Sequence, residues 1–187
     1  TSIALDEGRV PSFDFFPYTV PAIRHLGELT LHPAVTFLVG ENGSGKSTLL
    51  EALATRLGFP DIGGGMILDF NQRADDGGLH DALKVFRSRY RRPSSAFFMR
   101  AETVFDFATE VDKDPSRLGA YGGISLHKRS HGEAFLAIVQ NRLMPESLFL
   151  MDEPEAALSP ARQLTFLKEM DWLVRSGCQF VIATHSP

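Results

Sequence analysis

Residues 36–48, Thr36-Phe37-Leu38-Val39-Gly40-Glu41-Asn42-Gly43-Ser44-Gly45-Lys46-Ser47-Thr48, decide the fold. An apolar, β-type run ends at Gly40, and Gly45-Lys46-Ser47 opens the helical stretch Thr48-Leu49-Leu50-Glu51-Ala52-Leu53. The pattern is G-x-x-x-x-G-K-[ST], set between a strand and a helix as a phosphate-cradling loop requires. Its glycines reach backbone dihedrals that side chains forbid, so successive N–H groups turn inward on an anion. The helix start adds unpaired donors and the positive end of its dipole. Lys46 is placed to bridge the β- and γ-phosphates, and the Ser47 hydroxyl to ligate Mg²⁺. A Gly-rich turn that merely ends in Lys-Ser is the competing account; the strand before it and the helix after it weigh against that. Gly40, Asn42, Gly43, Ser44, Gly45, Lys46, Ser47 and Thr48 thus predict a site for a nucleoside triphosphate.

Composition narrows the setting. The 187 residues, 43% of them hydrophobic, suffice for one well-buried core and would crowd two domains. The single cysteine, Cys178, excludes a disulfide framework and a cysteine-based metal cluster, and its apolar flanks predict a small buried residue. No apolar stretch reaches bilayer length and no charged-then-apolar leader opens the chain, which predicts a soluble, cytoplasmic protein. The net charge of −4 argues against a strong whole-surface attraction to nucleic acid.

The pattern beyond the loop is α/β. Leu26 to Leu31 and Val35 to Val39 predict strands around a turn at His32-Pro33, after an aromatic, proline-broken start. The helix after Lys46 ends near Gly58, with Pro60 just beyond. Residues 61–80 predict loop, and Leu79 to Tyr90 has helical spacing. Ala96 to Met99 predicts a strand, Thr103 to Val111 a helix, and 112–129 a polar, Gly-rich stretch. An apolar helix follows from Gly132 to Leu143, then a strand at Leu148–Met151. A helix over Pro160–Val174 offers Leu164, Leu167, Met170, Trp172 and Leu173 for packing, and Gln179–Ala183 is the last strand. Such alternation around a phosphate loop implies a mostly parallel sheet with helices on both faces.

A second site lies in Ser147-Leu148-Phe149-Leu150-Met151-Asp152-Glu153-Pro154. A buried strand delivers two adjacent carboxylates at its carboxyl end, where open α/β sheets place ligands. Asp152 is the candidate to hold Mg²⁺ and Glu153 the candidate to orient or deprotonate an attacking water. An ordinary strand-end turn is the alternative for this pair taken alone.

Together these blocks resemble the ATP-binding cassette ATPases, and within them soluble, non-transporter predicted ATPases of the AAA-like and SMC-like kind. The resemblance covers nearly the whole chain. Gly40–Thr48 is similar to the family's Walker A, Leu148–Glu155 to its Walker B with the catalytic glutamate, Ala157-Leu158-Ser159-Pro160 to its D-loop, and Ala183-Thr184-His185-Ser186 to the strand-end switch histidine. It implies a P-loop fold with an N-terminal antiparallel part and a helical signature subdomain. Within one domain spanning 1–187, the core lobe would be about 1–60 and 146–187, and the helical or irregular part about 61–145. Further strands and a helix would follow Pro187. It also implies Mg²⁺-dependent ATP hydrolysis, with Lys46, Glu153 and His185 catalytic, and ATP-driven pairing of two copies head to tail.

The signature segment departs from the transporter pattern Leu-Ser-Gly-Gly-Gln. This chain has Arg129-Ser130-His131-Gly132-Glu133, in which Ser130 and Gly132 align with the serine and second glycine. In the family this segment contacts the γ-phosphate held by the opposite subunit. Ser130 and Glu133 also read as a plain capping box, and both roles are compatible. No glutamine occupies the usual strand end. Phe97-Phe98-Met99-Arg100-Ala101-Glu102 stands there, with Glu102 a candidate metal-sensing residue or merely a helix-start acid, and Gln72 a weaker candidate. Phe13, Phe15, Phe16 and Tyr18 are the candidates to stack on adenine.

The load driven by such a cycle is less legible. The basic, aromatic-interleaved run Lys84 to Arg92 admits a repair or regulatory role on nucleic acid or a partner protein, or is a solvated helix end. The alternative is the nucleotide-binding subunit of a membrane transporter, against which the altered signature and missing glutamine weigh. A nucleotide-gated binding module without catalysis is disfavoured by the intact acid pair.

Overall fold

The computed structural model describes residues 1–59, 64–65, 76–87, 93–141 and 144–185. From the N-terminus run β1 (Ser2–Leu5), the short helix α1 (Pro21–Arg24), β2 (Leu29–Thr30), β3 (Val35–Val39) and α2 (Lys46–Leu57). Then come β4 (Gly64–Gly65), the single turn α3 (Leu79–Ala82), β5 (Leu83–Phe86), β6 (Ala96–Arg100) and α4 (Val104–Asp112). Helix α5 (His131–Asn141), β7 (Leu148–Asp152), α6 (Pro160–Arg175) and β8 (Gln179–Thr184) complete the order, with 3₁₀ turns at Pro115–Tyr121, Leu126–Lys128 and Pro154–Ala157.

The central sheet has the order β3-β8-β7-β6-β4, its first four strands parallel and β4 antiparallel at one edge. An antiparallel sheet β2-β1-β5 forms the N-terminal part. This is the α/β, P-loop type of architecture that the loop and its flanks predict.

Alternation along β6, β7 and β8 buries both faces, as a parallel sheet demands, while Phe37 and Val39 of the edge strand β3 stay exposed. Phe98, Leu150, Val181 and Ala183 pack with Leu49, Leu50 and Leu53 of α2 on one side. Phe97, Met99, Phe149, Phe180 and Ile182 pack on the other with Phe107 of α4, Phe135 of α5 and Phe166 of α6. Phe149 and Phe180 stack with centroids 4.9 Å apart, so Phe149→Ala would cost about 3–5 kcal/mol. Helix α2 stops where Gly58, at φ 86°, turns left-handed and donates to Ala54 and Thr55.

Two expectations need correction. The helical spacing of Leu79–Tyr90 gives only one turn, because Leu83–Phe86 pairs antiparallel with β1, Leu5 opposite Leu83. Apolar spacing at 79, 82, 83 and 86 serves either period, and the strand partner decides. Residues 88–92 of the basic run lie outside the described residues, as do Gln72, most of 61–80 and Ser186. Helix α6 packs through Phe166, Met170 and Leu173, while Leu164, Leu167 and Trp172 are exposed. The stripe i, i+4, i+7 meets the sheet and the other apolar residues fall off it. Among the described residues no helix is long and apolar enough to cross a membrane.

Candidate functional site

Parallel register brings four strand ends to one edge of the sheet. Val39 lies opposite Thr184, Ala183 opposite Asp152, and Asp152 opposite Arg100. The loops leaving those ends carry the phosphate-loop pattern, Arg100-Ala101-Glu102, Asp152-Glu153 and His185. The sequence blocks that stand far apart in the chain therefore converge at the carboxyl end of the strands.

The loop at 40–45 takes the shape its glycines permit. Gly43 and Gly45 have φ of 76° and 92°, open to glycine at no steric cost. A Cβ on Gly45 would stand 2.8 Å from Val20, so the loop is also pressed against the segment before α1. Lys46 is buried, and its ammonium donates to the carbonyls of Gly40 (2.9 Å) and Glu41 (2.8 Å). It also lies 3.2 Å from His185 Nδ1. An ammonium has only donors, so Nδ1 accepts there and the imidazole carries its proton on Nε2. That Nε2–H donates to the Glu153 carboxylate. One chain of contacts thus runs from the phosphate-loop lysine through the strand-end histidine to the second acid.

Glu153 reaches this position by a left-handed backbone turn, φ 49°, which costs a side-chain-bearing residue about 1–2 kcal/mol. The first acid is differently placed. Asp152 is buried and accepts from the Ser47 hydroxyl at 2.9 Å. Burial raises its carboxyl above the ordinary Asp value, opposed by the Ser47 hydrogen bond and by Arg100. A hydroxyl and a buried carboxylate side by side are the hard oxygen donors that suit Mg²⁺.

Arg100 is a participant that sequence reading passed over. Its guanidinium lies 3.3 Å from Glu51 of α2, 3.6 Å from Asp152 and 3.8 Å from Glu102. Glu102 is 78% exposed on its side chain, and the contact it makes is to Arg100 rather than to Ser47 or Asp152. Glu155 was also passed over, and its Oε1 accepts from the Thr184 hydroxyl and the His185 N–H.

At the head of α5, Glu133 reaches back to accept from the Ser130 N–H at 2.9 Å. That bond, the Ser130 hydroxyl, and then Arg162 and Arg129 hold the Glu133 carboxyl below its usual range. Arg162 donates to its other oxygen at 2.8 Å. Gly132 is buried against the Pro154–Ala157 turn, where a Cβ would sit 2.9 Å from the Ala157 carbonyl oxygen. His131 contacts the Ala101 carbonyl through Nε2 at 3.1 Å. Among the aromatics, Tyr18 is 2% exposed and part of the core, Phe13 packs edge-on against it, and Phe15 and Phe16 are 71% and 56% exposed.

A family model described as "AAA domain, putative AbiEii toxin, Type IV TA system" matches residues 35–120 and 133–187. The ABC multidrug transporter A-1 of Aspergillus fumigatus is 28% identical over 176 residues, 82% of this chain but 12% of that protein. The hemin import ATP-binding protein HmuV of Pseudomonas aeruginosa is 29% identical over 184 residues, 84% of this chain and 69% of that one. The cytochrome c biogenesis ATP-binding export protein CcmA of Rhodopseudomonas palustris is 30% identical over 165 residues, 80% and 77% respectively. Against the first of these, the fungal transporter, the chain spans only the 12% that aligns. The matched segments hold both ends of the site, from the phosphate loop to the strand-end histidine, and the chain belongs to this AAA-domain family of P-loop ATPases, of the ATP-binding-cassette type.

Proposed function

We propose that residues 1–187 form one ATP-hydrolysing domain that works as a pair, with each ATP held between the phosphate loop of one copy and the Ser130–Glu133 segment of the other. The observation that carries this reading is the Lys46–His185–Glu153 chain of contacts beside the Ser47–Asp152 pair. Phosphate oxygens entering the loop offer Lys46 acceptors in place of the Gly40 and Glu41 carbonyls. Lys46 then neutralises charge on the transferring phosphoryl group. The Glu153 carboxylate orients a water for in-line attack and accepts its proton, and His185 holds that carboxylate in place. Ser47 and Asp152 would hold Mg²⁺, which supplies further charge neutralisation when bound. Glu102 lies at the strand end beside them, and its link to the site runs through Arg100.

The second half of each site comes from α5. Its N-terminal donors and the Ser130 hydroxyl face an anion supplied by the opposite copy, while Glu133 keeps the segment ordered. Adenine stacking falls to the exposed Phe15 or Phe16, since Tyr18 is committed to the core. The test is Glu153→Gln, for which ATP hydrolysis should fall by about 10²–10⁴-fold while an ATP-bound dimer accumulates in size-exclusion chromatography. Unchanged turnover by this variant would sink the assignment.

What the cycle drives is a partner protein or nucleic acid, and ATPase stimulation by DNA with steep salt dependence would point to the latter. The names of the relatives support a second reading, a nucleotide-binding subunit of a membrane transporter, which co-purification with a membrane protein would favour.

A further inference from the structure

Glu155 has no part in the chemistry above, yet it is tied to it. It stands in the 3₁₀ turn Pro154–Ala157, directly after the acid pair. Its Oε1 accepts from the Thr184 hydroxyl at 2.5 Å and from the His185 backbone N–H at 3.0 Å. These donors are consecutive, at the point where β8 ends and the chain must turn to present the histidine ring. Charge-assisted bonds of this length are the stronger class, and two of them on one oxygen fix the backbone from which the ring hangs.

The turn that carries Glu155 is itself well anchored. Pro154 and Ala157 are buried, the Ala156 N–H donates to the Glu153 carbonyl at 2.9 Å, and Ala157 abuts Gly132. The ring it controls is half-exposed and makes its contacts at both nitrogens, Nε2 to Glu153 and Nδ1 to Lys46. Pairing with Val39 holds Thr184 in the ladder, and the Glu155 bonds carry that order one residue further, to the backbone from which the His185 ring hangs. Supporting contacts of this kind hold a reacting group within the small tolerance that chemistry needs.

We infer that Glu155 is a positioning residue for ATP hydrolysis: it clamps the end of β8 so that His185 meets Glu153 and the phosphate loop at once. The inference rests on the hydrolytic role proposed for Glu153 and His185. It predicts that the clamp acts on the chemical step more than on nucleotide capture, because its two bonds go to the end of β8 that carries the histidine.

The experiment measures single-turnover ATP hydrolysis, ATP affinity and melting temperature in the full chain for Glu155→Ala, Glu155→Gln, Thr184→Val and Glu153→Gln. Glu155→Ala should slow hydrolysis by about 10²-fold, the scale of an ångström-level misplacement, with ATP affinity within about threefold of wild type. Glu155→Gln keeps an oxygen that accepts both donors and should restore the rate to within about threefold, and Thr184→Val should lose about tenfold. A wild-type rate in Glu155→Ala while Glu153→Gln is inactive would overturn the clamp and leave the hydrolytic reading standing. So would a Glu155→Ala protein whose rate, ATP affinity and melting temperature fall together, since that is the mark of a merely structural contact. Normal turnover in Glu153→Gln would instead remove the reading on which the clamp depends. If Glu155→Ala does not fold, Thr184→Val decides: a wild-type rate there overturns the proposal.

Discussion

Ser47 Oγ donates to Asp152 Oδ1 across 2.9 Å, joining the first turn of α2 to the end of a strand 105 residues further along the chain. The bond closes the phosphate loop against β7 and leaves a buried carboxylate whose charge is only partly answered by Arg100. On the proposed reading this pair would hold the cation, while Lys46 and the loop N–H groups would take the phosphates.

Removing the Ser47 hydroxyl or the Asp152 charge should therefore make nucleotide binding less sensitive to Mg²⁺. For Ser47→Ala and Asp152→Asn, titration with a fluorescent ATP analogue should show affinity in Mg²⁺ weakened about tenfold or more, about 1.4 kcal/mol. Affinity in EDTA should match wild type. Equal losses in both buffers would mean that the pair shapes the loop and does not serve a metal.

The exposed and buried aromatics should part company when truncated. Phe15→Ala and Phe16→Ala should leave the melting temperature near wild type, and the one that stacks on the base should weaken ATP binding by about 1–3 kcal/mol. Inorganic triphosphate, which has no base, should bind both variants as it binds wild type. Tyr18→Ala should instead destabilise the fold by about 3–5 kcal/mol, since its ring is enclosed in the N-terminal core. Calorimetry with the two ligands distinguishes the cases.

The parts of the site legible in sequence are those whose chemistry is local. A glycine pattern dictates the phosphate loop because φ above zero is required at Gly43 and Gly45, and that requirement is written in adjacent residues. Asp152 and Glu153 are legible because an apolar strand ending in acids points to the ligand edge of a parallel sheet, and His185 through the resemblance of Ala183-Thr184-His185-Ser186 to a strand-end switch histidine. Arg100 and Glu155 act across the fold. Arg100 reaches Glu51 from 49 residues away, and Glu155 reaches Thr184 from 29, so their neighbours hold no trace of the partner. The same reason hid β5, whose pairing with β1 overrides a spacing that fits a helix equally well. On α6 the register of the buried stripe depended on which face met the sheet, and a helix with apolar residues on both sides does not announce it.

Ser130 and Gly132 admit a direct separation of helix capping from phosphate contact. Gly132→Ala should cost the isolated chain about 1–3 kcal/mol, because its Cβ would crowd the Ala157 carbonyl oxygen and the Arg162 side chain. Ser130→Ala should cost about 1 kcal/mol through the lost hydroxyl bond to the Glu133 carboxylate, whether or not a second copy is present. If the hydroxyl also serves the opposite site, Ser130→Ala should abolish ATP-induced dimerisation in light scattering while single-site nucleotide affinity persists. A variant that dimerises normally would confine Ser130 to capping.

Cys178 offers a probe of the core with a defined pH sign. Its thiol is buried just before β8, donates to the Met144 carbonyl at 3.3 Å, and is raised above its ordinary value by loss of solvent. The thiolate is the reactive form, so native protein at pH 8 should resist a disulfide reagent and react only as it opens. An acid whose folded pKa is raised ionises first in the unfolded chain. Stability is therefore fully present below the unfolded thiol's range, about pH 8.5, and declines as pH rises through it towards the folded value. Cys178→Ala removes that linkage, so the difference in urea midpoint between wild type and variant should narrow from pH 7.5 to 9.5. A difference that stays constant across this range would show that the folded and unfolded thiols ionise alike.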